Sequence, residues 1–217
     1  MRKMYGLLTL AAALASLACA TLAGRELERA ESPAVSSVTP DAPSPFELTK
    51  EEEAINARPL KLPLTDARIV VEKSARRLTL YAGGERVRVF AAALGFEPAG
   101  DKERQGDGRT PEGAFYVCVK NERSRFHLSL GLSYPNAEDA ERGLRDKLIT
   151  RAQHDEILRS FELKTRPPWN TALGGEIFIH GGGTAGDWTS GCVALDDANI
   201  KELFDAVPFG TEVVIEQ

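Results

Sequence analysis

One cysteine and one histidine, Cys192 and His180, stand twelve residues apart in the glycine-rich segment from Ile177 to Leu195. A cysteine attacks as its thiolate, so a neighbouring imidazole that takes the thiol proton converts it into a nucleophile. The surrounding glycines let the backbone approach a substrate closely and present N–H groups to a developing oxyanion. These residue types predict nucleophilic catalysis by Cys192 with His180 as base, and oxyanion binding by the N–H groups of Gly191 and Cys192.

Two other roles for this pair stay open on residue types alone. The apolar residues that follow Cys192 are also compatible with a buried structural thiol. A zinc site would need three or four ligands, and the only other imidazoles in the chain are those of His127 and His154. The ligand count therefore disfavours a metal.

Strands and turns on both sides must bring the two residues together. His180 closes a strand-like run that starts at Glu176, and a helix-like run follows Cys192. Period-two alternation and turn residues predict six further strands, at 68–72, 77–81, 86–90, 114–120, 126–132 and 211–215. The domain is therefore predicted to be β-rich.

Helical patterns interrupt these strands twice. A long pattern from 137 to 163 begins after Asn136, a plausible N-cap, and is expected to form a lid or one wall of the site. A second helix is predicted at 196–207, ended by Pro208. Together with the strands, these helices predict a β-rich α+β fold with a helical insertion.

Three blocks of sequence resemble the signature of the L,D-transpeptidase family, with its YkuD-type catalytic domain. They are His180-Gly181 together with the DWTSGC motif that ends at Cys192, the GDGRTPEG block at 106–113, and the SYPN block at 133–136. The resemblance runs from about residue 67 to residue 216 and is to the DWT-x-GC branch of the family. It implies a mixed-sheet sandwich and acyl transfer through a Cys192 thioester on peptidoglycan stem peptides, without a cofactor.

The resemblance also suggests which neighbours orient the pair. The carbonyl oxygen of Gly181 is expected to hold the imidazole, in preference to the carboxylate of Asp187. Trp188 is expected to anchor the loop by packing beneath it. Many members carry an arginine two residues after the cysteine; this chain has Ala194 at that position, so the contact of that arginine is not expected here.

Three residues are predicted to bind substrate. Ser190 stands where many members have a second histidine. Tyr134 of the SYPN block is expected to line the cleft. Arg109, or alternatively Lys102, is expected to hold a substrate carboxylate, although a structural turn is the competing interpretation of the block that contains Arg109.

The identity of the acyl acceptor stays open. If the acceptor is an amine of another stem or of a wall-linked lipoprotein, the protein is a transpeptidase. If water takes its place, the same site is an L,D-endopeptidase or amidase that cuts bonds to diaminopimelate. An inactive wall-binding module is a third alternative, which the intact Cys192–His180 pair disfavours.

The N-terminal part has a different composition from the rest. Residues 1–20, charged at the start and then apolar, are typical of an export signal that is too short to span a membrane. Cleavage next to a lipidated Cys19 and ordinary cleavage at Ala18-Cys-Ala20 both stay open. Proline-rich residues 21–64 are predicted to be a disordered tether with a short helix at 49–57, and 65–217 the catalytic domain.

Charge and cysteine content limit the environment and partners. The net charge is −5 and no basic cluster is present, so nucleic acid is not expected as a partner. Apart from Cys19, only Cys118 and Cys192 remain; Cys118 is predicted to be buried in a strand and not bridged. We expect a periplasmic or cell-envelope protein, membrane-tethered if Cys19 is lipidated.

Overall fold

The computed structural model describes residues 44–217. The predicted export signal, Cys19 and the first part of the predicted tether lie outside the described residues. Within the described part, no helix has the length and apolar character needed to cross a membrane.

Eight strands and four helices make up the domain. The strands are β1 (Arg68–Glu72), β2 (Arg77–Ala82), β3 (Glu85–Ala91), β4 (Gly113–Ser124), β5 (His127–Leu132), β6 (Phe178–His180), β7 (Val193–Ala194) and β8 (Glu212–Glu216). The helices are α1 (Lys50–Asn56), α2 (Ala137–Arg145), α3 (Arg151–Glu162) and α4 (Asp197–Ala206). All six strands predicted from alternation are present, whereas β7 lies at the start of the run that was predicted to be helical.

The strands form one mixed sheet in the order β3-β2-β1-β8-β4-β5-β6-β7. Two pairs, β1 with β8 and β6 with β7, are parallel, and the other pairs are antiparallel. Beyond the end of β3, Ala93 and Ala194 exchange backbone hydrogen bonds of 2.9 and 2.8 Å, so the two outer edges of the sheet meet. The predicted β-rich α+β fold with a mixed sheet and a helical insertion is confirmed.

The sheet bends at β4. Residues Gly113–Tyr116 pair with β8, and from Val117 onward the strand pairs with β5. The register shifts between Val117 and Val119 and again between Asn121 and Ser124, and such irregularities bend and twist a strand. The bend carries the β4–β5 turn to the side of the sheet where β6 and β7 end.

Alternating apolar side chains fill the space inside the curl. In β1, Ile69 and Val71 are fully buried while their neighbours face outward, as expected for a strand with one face on the core. Helix α4 adds Ile200 and Leu203 to the same core. Each such side chain contributes about 1.5–3 kcal/mol on burial, which makes this core the rigid support of the site.

The helical insertion between β5 and β6 consists of two helices. The predicted N-cap Asn136 is present at the start of α2, where it forms a capping box with Asp139. A second capping box, formed by Thr150 and Gln153, begins α3. The prediction of one helix from 137 to 163 was therefore wrong, because the second cap and the left-handed backbone at Lys147 end the first helix and redirect the chain.

Residues 44–64 pack against the domain, so the predicted disordered tether was drawn too far toward the C-terminus. The predicted short helix is present as α1, with Ile55 buried. The Asn56 side chain bonds both the N–H and the C=O of Val89, at 2.8 and 2.6 Å. Arg77 bonds Glu52 at 2.9 Å. The amino-acid composition of residues 44–64 did not predict this packing, because the groups that they contact are backbone atoms and charged side chains of strands far away in the sequence.

Candidate active site

Strands β6 and β7 place Cys192 and His180 side by side. In their parallel register, His180 lies opposite Ala194, two residues after Cys192. Because side chains alternate along a strand, Cys192 and His180 project from the same face of the two strands. Both line one cavity of about 420 Å³, which is open to solvent.

The imidazole of His180 is held in one tautomer. Its Nδ1 lies 2.6 Å from the carbonyl oxygen of Gly181. Since a carbonyl can only accept, Nδ1 carries the proton, and Nε2 of the neutral ring keeps its lone pair. The ring stacks on Phe126 at a centroid distance of 4.5 Å, and it meets the Trp188 ring in a T-shaped arrangement with the centroids 5.6 Å apart. Burial lowers the pKa of His180, so the neutral, basic form is favoured.

The thiol of Cys192 lies among backbone groups. The Phe178 N–H points at Sγ from 3.4 Å, and the thiol itself donates to the Glu176 carbonyl at 3.6 Å. Burial raises the pKa of the Cys192 thiol, while the Phe178 N–H and the charge of Lys102 act in the opposite direction. A protonated thiol beside a neutral imidazole is therefore the resting state.

Asp187 of the DWT motif does not contact the imidazole. Its carboxylate forms an ion pair with Arg76 at 2.7 Å and accepts the Leu94 N–H at 2.8 Å. It therefore fastens the loop between β6 and β7 (residues 181–192, the catalytic loop) to the β1–β2 turn and to the segment after β3.

Thr189 closes the C-terminal end of this loop. Its hydroxyl donates to the Cys192 carbonyl at 2.7 Å and accepts the Gly191 N–H at 3.1 Å. The prediction of Gly191 as a free oxyanion donor was therefore wrong, because its N–H is already engaged. The N–H of Cys192 is the remaining one of the two predicted donors.

Glycine is required at 191 by the backbone conformation and by a close contact with Arg109. The residue has φ +133, and a Cβ atom would lie 2.6 Å from the carbonyl oxygen of Arg109. The loop after β3 and the catalytic loop touch at this point. A side chain would push Cys192 away from its place in the cavity wall.

The three predicted substrate-binding residues lie in different surroundings. Ser190 is exposed and lines the cavity. Tyr134 is fully buried, with its hydroxyl donating to the Leu173 carbonyl at 2.9 Å, so its placement in the cleft was wrong. Arg109 was also wrongly placed: its guanidinium donates to the Asp101 carbonyl at 3.2 Å and faces Glu103 at 3.7 Å, away from the cavity.

The alternative carboxylate ligand, Lys102, does line the cavity. It is almost fully buried, however, and is paired with Asp107 at 2.6 Å. Ala194, at the position where the resemblance led to the comparison with an arginine, is fully buried in β7. Neither residue offers a free charge to a substrate.

A second cavity, of about 520 Å³, adjoins the first and shares its reactive pair. Both cavities are lined by Cys192, His180, Arg125, Phe126 and Glu176. The first extends toward the loop that follows α3, and the second toward the β4–β5 turn. A reactive pair shared by two cavities has room for two substrate groups.

Sequence reasoning missed several residues of the cavity walls. Phe126 was predicted only as the first residue of the strand at 126–132, and Arg125, Glu176 and Trp169 were not singled out. The sequence did hold a signal for Phe126 and Arg125. The strand that pairs with β6 begins directly after the β4–β5 turn, so this turn lies near His180. Trp169 lies in an irregular loop and gave no such signal.

No group within residues 44–217 offers three or more His, Cys, Asp or Glu side chains for a metal ion. Cys118 and Cys192 are both free thiols.

Comparison with known proteins gives one family. The model of the L,D-transpeptidase catalytic domain, YkuD, matches residues 66–215. A search of curated proteins found no match.

Solved structures with a similar fold include the L,D-transpeptidase from Xylanimonas cellulosilytica, with 17% identity over 73% of this chain and 64% of that chain, and a TM-score of 0.44. The helical cell shape determining protein Pgp2 from Campylobacter jejuni has 20% identity over 76% of this chain and 53% of that one, with a TM-score of 0.48. The L,D-transpeptidase 1 of Mycobacterium tuberculosis has 16% identity over 69% and 60%, with a TM-score of 0.40. The chain spans less than two thirds of each of these structures.

Proposed function

The chain belongs to the YkuD family of L,D-transpeptidase catalytic domains, and from this membership we propose that it is a peptidoglycan L,D-transpeptidase that works through a thioester on Cys192. The observation that carries the proposal is the common cavity of Cys192 and His180, with Nδ1 of His180 bonded to the Gly181 carbonyl. This bond leaves Nε2 as the basic nitrogen. The site thus has a nucleophile, a base of defined tautomer and space for a peptide.

In the first step, His180 takes the thiol proton as Sγ of Cys192 bonds to the carbonyl carbon of the third residue of a stem peptide. The Gly181 carbonyl stabilises the imidazolium that forms. The oxyanion is bound by the N–H of Cys192. When the tetrahedral carbon collapses, the bond to D-alanine breaks, and His180 returns its proton to the leaving amine.

The neutral resting pair suits this sequence of events. Burial disfavours the imidazolium and the thiolate alike, so the proton moves only as the new bond forms and is then passed on to the leaving group. The Phe178 N–H, 3.4 Å from Sγ, stabilises negative charge on sulfur while the proton is in transit.

In the second step, an acceptor amine attacks the thioester. Its nitrogen bonds to the acyl carbon, the C–S bond breaks, and His180 moves the amine proton to the Cys192 sulfur. The acceptor is an amine of a second stem peptide or of a wall-linked lipoprotein. Attack by water at the same carbon would make the protein an endopeptidase or amidase.

We place this activity in the cell envelope. The composition of residues 1–20 is typical of an export signal, and residues 21–43 have the composition of a tether. Processing at Cys19 would add a lipid anchor at the start of this tether.

Two measurements test the function. Intact-mass spectrometry after carbapenem treatment is expected to show a covalent adduct on the wild type and on Cys118→Ser, a control that removes the other described thiol, but none on Cys192→Ala. Muropeptide analysis after incubation with peptidoglycan is expected to show new cross-links. Released stems without new cross-links would indicate the hydrolase, and no adduct together with no change in muropeptides would contradict an active enzyme.

A further inference from the structure

Two adjacent arginines of the β1–β2 turn bind different parts of the chain. Arg76 pairs with Asp187 of the catalytic loop at 2.7 Å. Arg77 pairs with Glu52 of α1 at 2.9 Å. The side chains of all four residues are at most 20% exposed, so both ion pairs are shielded from the water that weakens surface pairs. The turn thus joins the catalytic loop to the segment that precedes β1.

Arg77 organises that preceding segment. We call residues 44–56, which end with α1, the strap. Besides Glu52, the Arg77 guanidinium bonds the carbonyl oxygens of Pro45 and Glu47, so one side chain holds the strap at three points. The strap lies outside residues 66–215, the part of the chain that the family model matches. It is therefore an addition of this chain to the catalytic domain of the family.

The same guanidinium also bonds the turn that carries Arg76. Nη1 of Arg77 donates to the carbonyl oxygens of Ala75 and Arg76, each at 3.3 Å. Arg76 has a left-handed backbone with φ 54, a conformation that residues with a Cβ atom keep only where their surroundings hold it. Arg77 therefore helps to fix the backbone from which the Arg76 side chain reaches Asp187.

A second contact of the strap leads to the same loop. The Asn56 side chain bonds the N–H and the C=O of Val89 in β3, at 2.8 and 2.6 Å. Just beyond β3, the Leu94 N–H donates to Asp187 at 2.8 Å, and the Leu94 carbonyl accepts the Thr189 N–H at 3.1 Å. The strap therefore contacts both elements that hold Asp187, the β1–β2 turn and the strand that leads to Leu94.

We propose that the strap positions the catalytic loop, with Arg77 as the positioning residue that acts on Asp187 by way of Arg76. When the strap is seated, one guanidinium joins its oxygens to those of the β1–β2 turn. When the strap is detached, Arg77 loses three of its partners, and the turn loses the group that fixes Arg76. The Arg76–Asp187 ion pair then has no rigid base.

The catalytic loop carries the consequence to the thiol. Trp188 and Thr189 follow Asp187 directly in the chain. Trp188 packs on the His180 ring, and the Thr189 hydroxyl donates to the carbonyl of Cys192. Within the described part of the chain, neither cavity has a wall residue from the strap, so the effect reaches the reaction through the loop. The inference rests on the proposed function, because it assigns a support to the same site.

The experiment compares Arg77→Gln with Arg86→Gln in the purified chain. Arg86 also pairs with the strap, at 2.6 Å from Glu51, but that pair is exposed, and among residues 44–217 its side chain bonds Glu51 alone. Carbapenem acylation of Cys192 is expected to slow by about fivefold or more in Arg77→Gln, since a misplacement of about 1 Å can cost about 100-fold in rate. It is expected to stay within about twofold of the wild type in Arg86→Gln, because exposed ion pairs contribute little.

Glu52→Gln tests the strap side of the contact. The glutamine oxygen can still accept the Thr49 N–H, which lies 2.7 Å from the carboxylate, so α1 keeps its cap while Arg77 loses the charge that holds it. Hydrogen exchange is expected to become faster at 44–56 and at 181–192. Acylation is expected to slow by less than in Arg77→Gln, because the carbonyl oxygens of Pro45 and Glu47 still bind the guanidinium.

A double-mutant cycle separates positioning from general destabilisation. If Arg77 acts by way of Asp187, Arg77→Gln is expected to slow acylation much less in a chain that already carries Asp187→Asn. Two independent effects would instead multiply. Chemical denaturation of each variant gives the fraction that is folded under the conditions of the assay, so that acylation rates refer to folded protein only.

The inference is overturned if Arg77→Gln and Glu52→Gln leave acylation and the hydrogen exchange of 181–192 as in the wild type, whatever happens in the strap. It is also overturned if the two effects in the cycle multiply, or if Arg86→Gln slows acylation as much as Arg77→Gln. Failure of the proposed function has a different signature, because the wild type would then form no carbapenem adduct and leave muropeptides unchanged. Hydrogen exchange needs no turnover and reports on the loop in either case.

Discussion

The carboxylate of Asp187 lies 2.7 Å from Nη2 of Arg76 and accepts the Leu94 N–H. The acidic residue of the DWT motif therefore supports the catalytic loop and leaves the imidazole to the Gly181 carbonyl. In a Cys-His site the third group normally orients the base, and here a backbone oxygen takes that role.

Asp187→Asn is expected to lower the free energy of unfolding by about 1–3 kcal/mol, because Arg76 loses its partner in a half-buried setting. The rate of acylation is expected to fall as Trp188 and Thr189 lose their fixed positions. The apparent pKa of His180 in the pH profile is expected to stay where it is, since Asp187 does not touch the ring. Chemical denaturation and pH–rate profiles check both parts, and a shifted imidazole pKa would contradict this division of roles.

Gly191→Ala is expected to abolish most activity and to destabilise the chain. The added Cβ would lie 2.6 Å from the Arg109 carbonyl oxygen, at a backbone φ of +133 that alanine rarely adopts. Gly186→Ala is the matched control in the same loop, because nothing lies within 4 Å of its Cβ. Adduct formation on Cys192 measures the effect, and equal rates in the two variants would refute it.

The pH dependence of acylation follows from the directions of two shifts. Burial lowers the pKa of His180 below 6.5, so the base is expected to stay neutral until the pH falls through that lowered value, where the rate drops. The raised pKa of Cys192 keeps the thiol protonated through neutral pH. Alkylation of Cys192 by iodoacetamide is therefore expected to rise with pH above neutrality. A plateau of alkylation that begins in acid would instead indicate a preformed ion pair.

Tyr134→Phe is expected to leave the KM for stem peptides unchanged. The substitution removes only a hydroxyl that is buried against the Leu173 carbonyl at 2.9 Å, and it leaves one acceptor without its donor. We expect a loss of about 1–2 kcal/mol in the free energy of unfolding, typical of one buried hydrogen bond. A several-fold rise in KM would instead indicate that Tyr134 contacts the substrate.

Much of this protein could be predicted from local sequence. Alternation predicted the strands from Arg68 onward, and the three blocks at 106–113, 133–136 and 180–192 together predicted the family. The cap at Asn136 predicted where the helical insertion begins. Such features depend on residue chemistry and on short periodic patterns, which the chain displays whatever it later packs against.

The positions of the cavity walls were decided by tertiary structure. The bend in β4 brings Arg125 and Phe126 to His180, and the return of the insertion loop brings Glu176 to Cys192. The same packing buries Tyr134 and engages the N–H of Gly191. Sequence by itself determined which residue types stand at 180 and 192 and in which motifs, because that is a property of the chain before it folds. Which charges face the reactive pair depends on how a curled sheet joins segments far apart in the chain, and no local pattern encodes that.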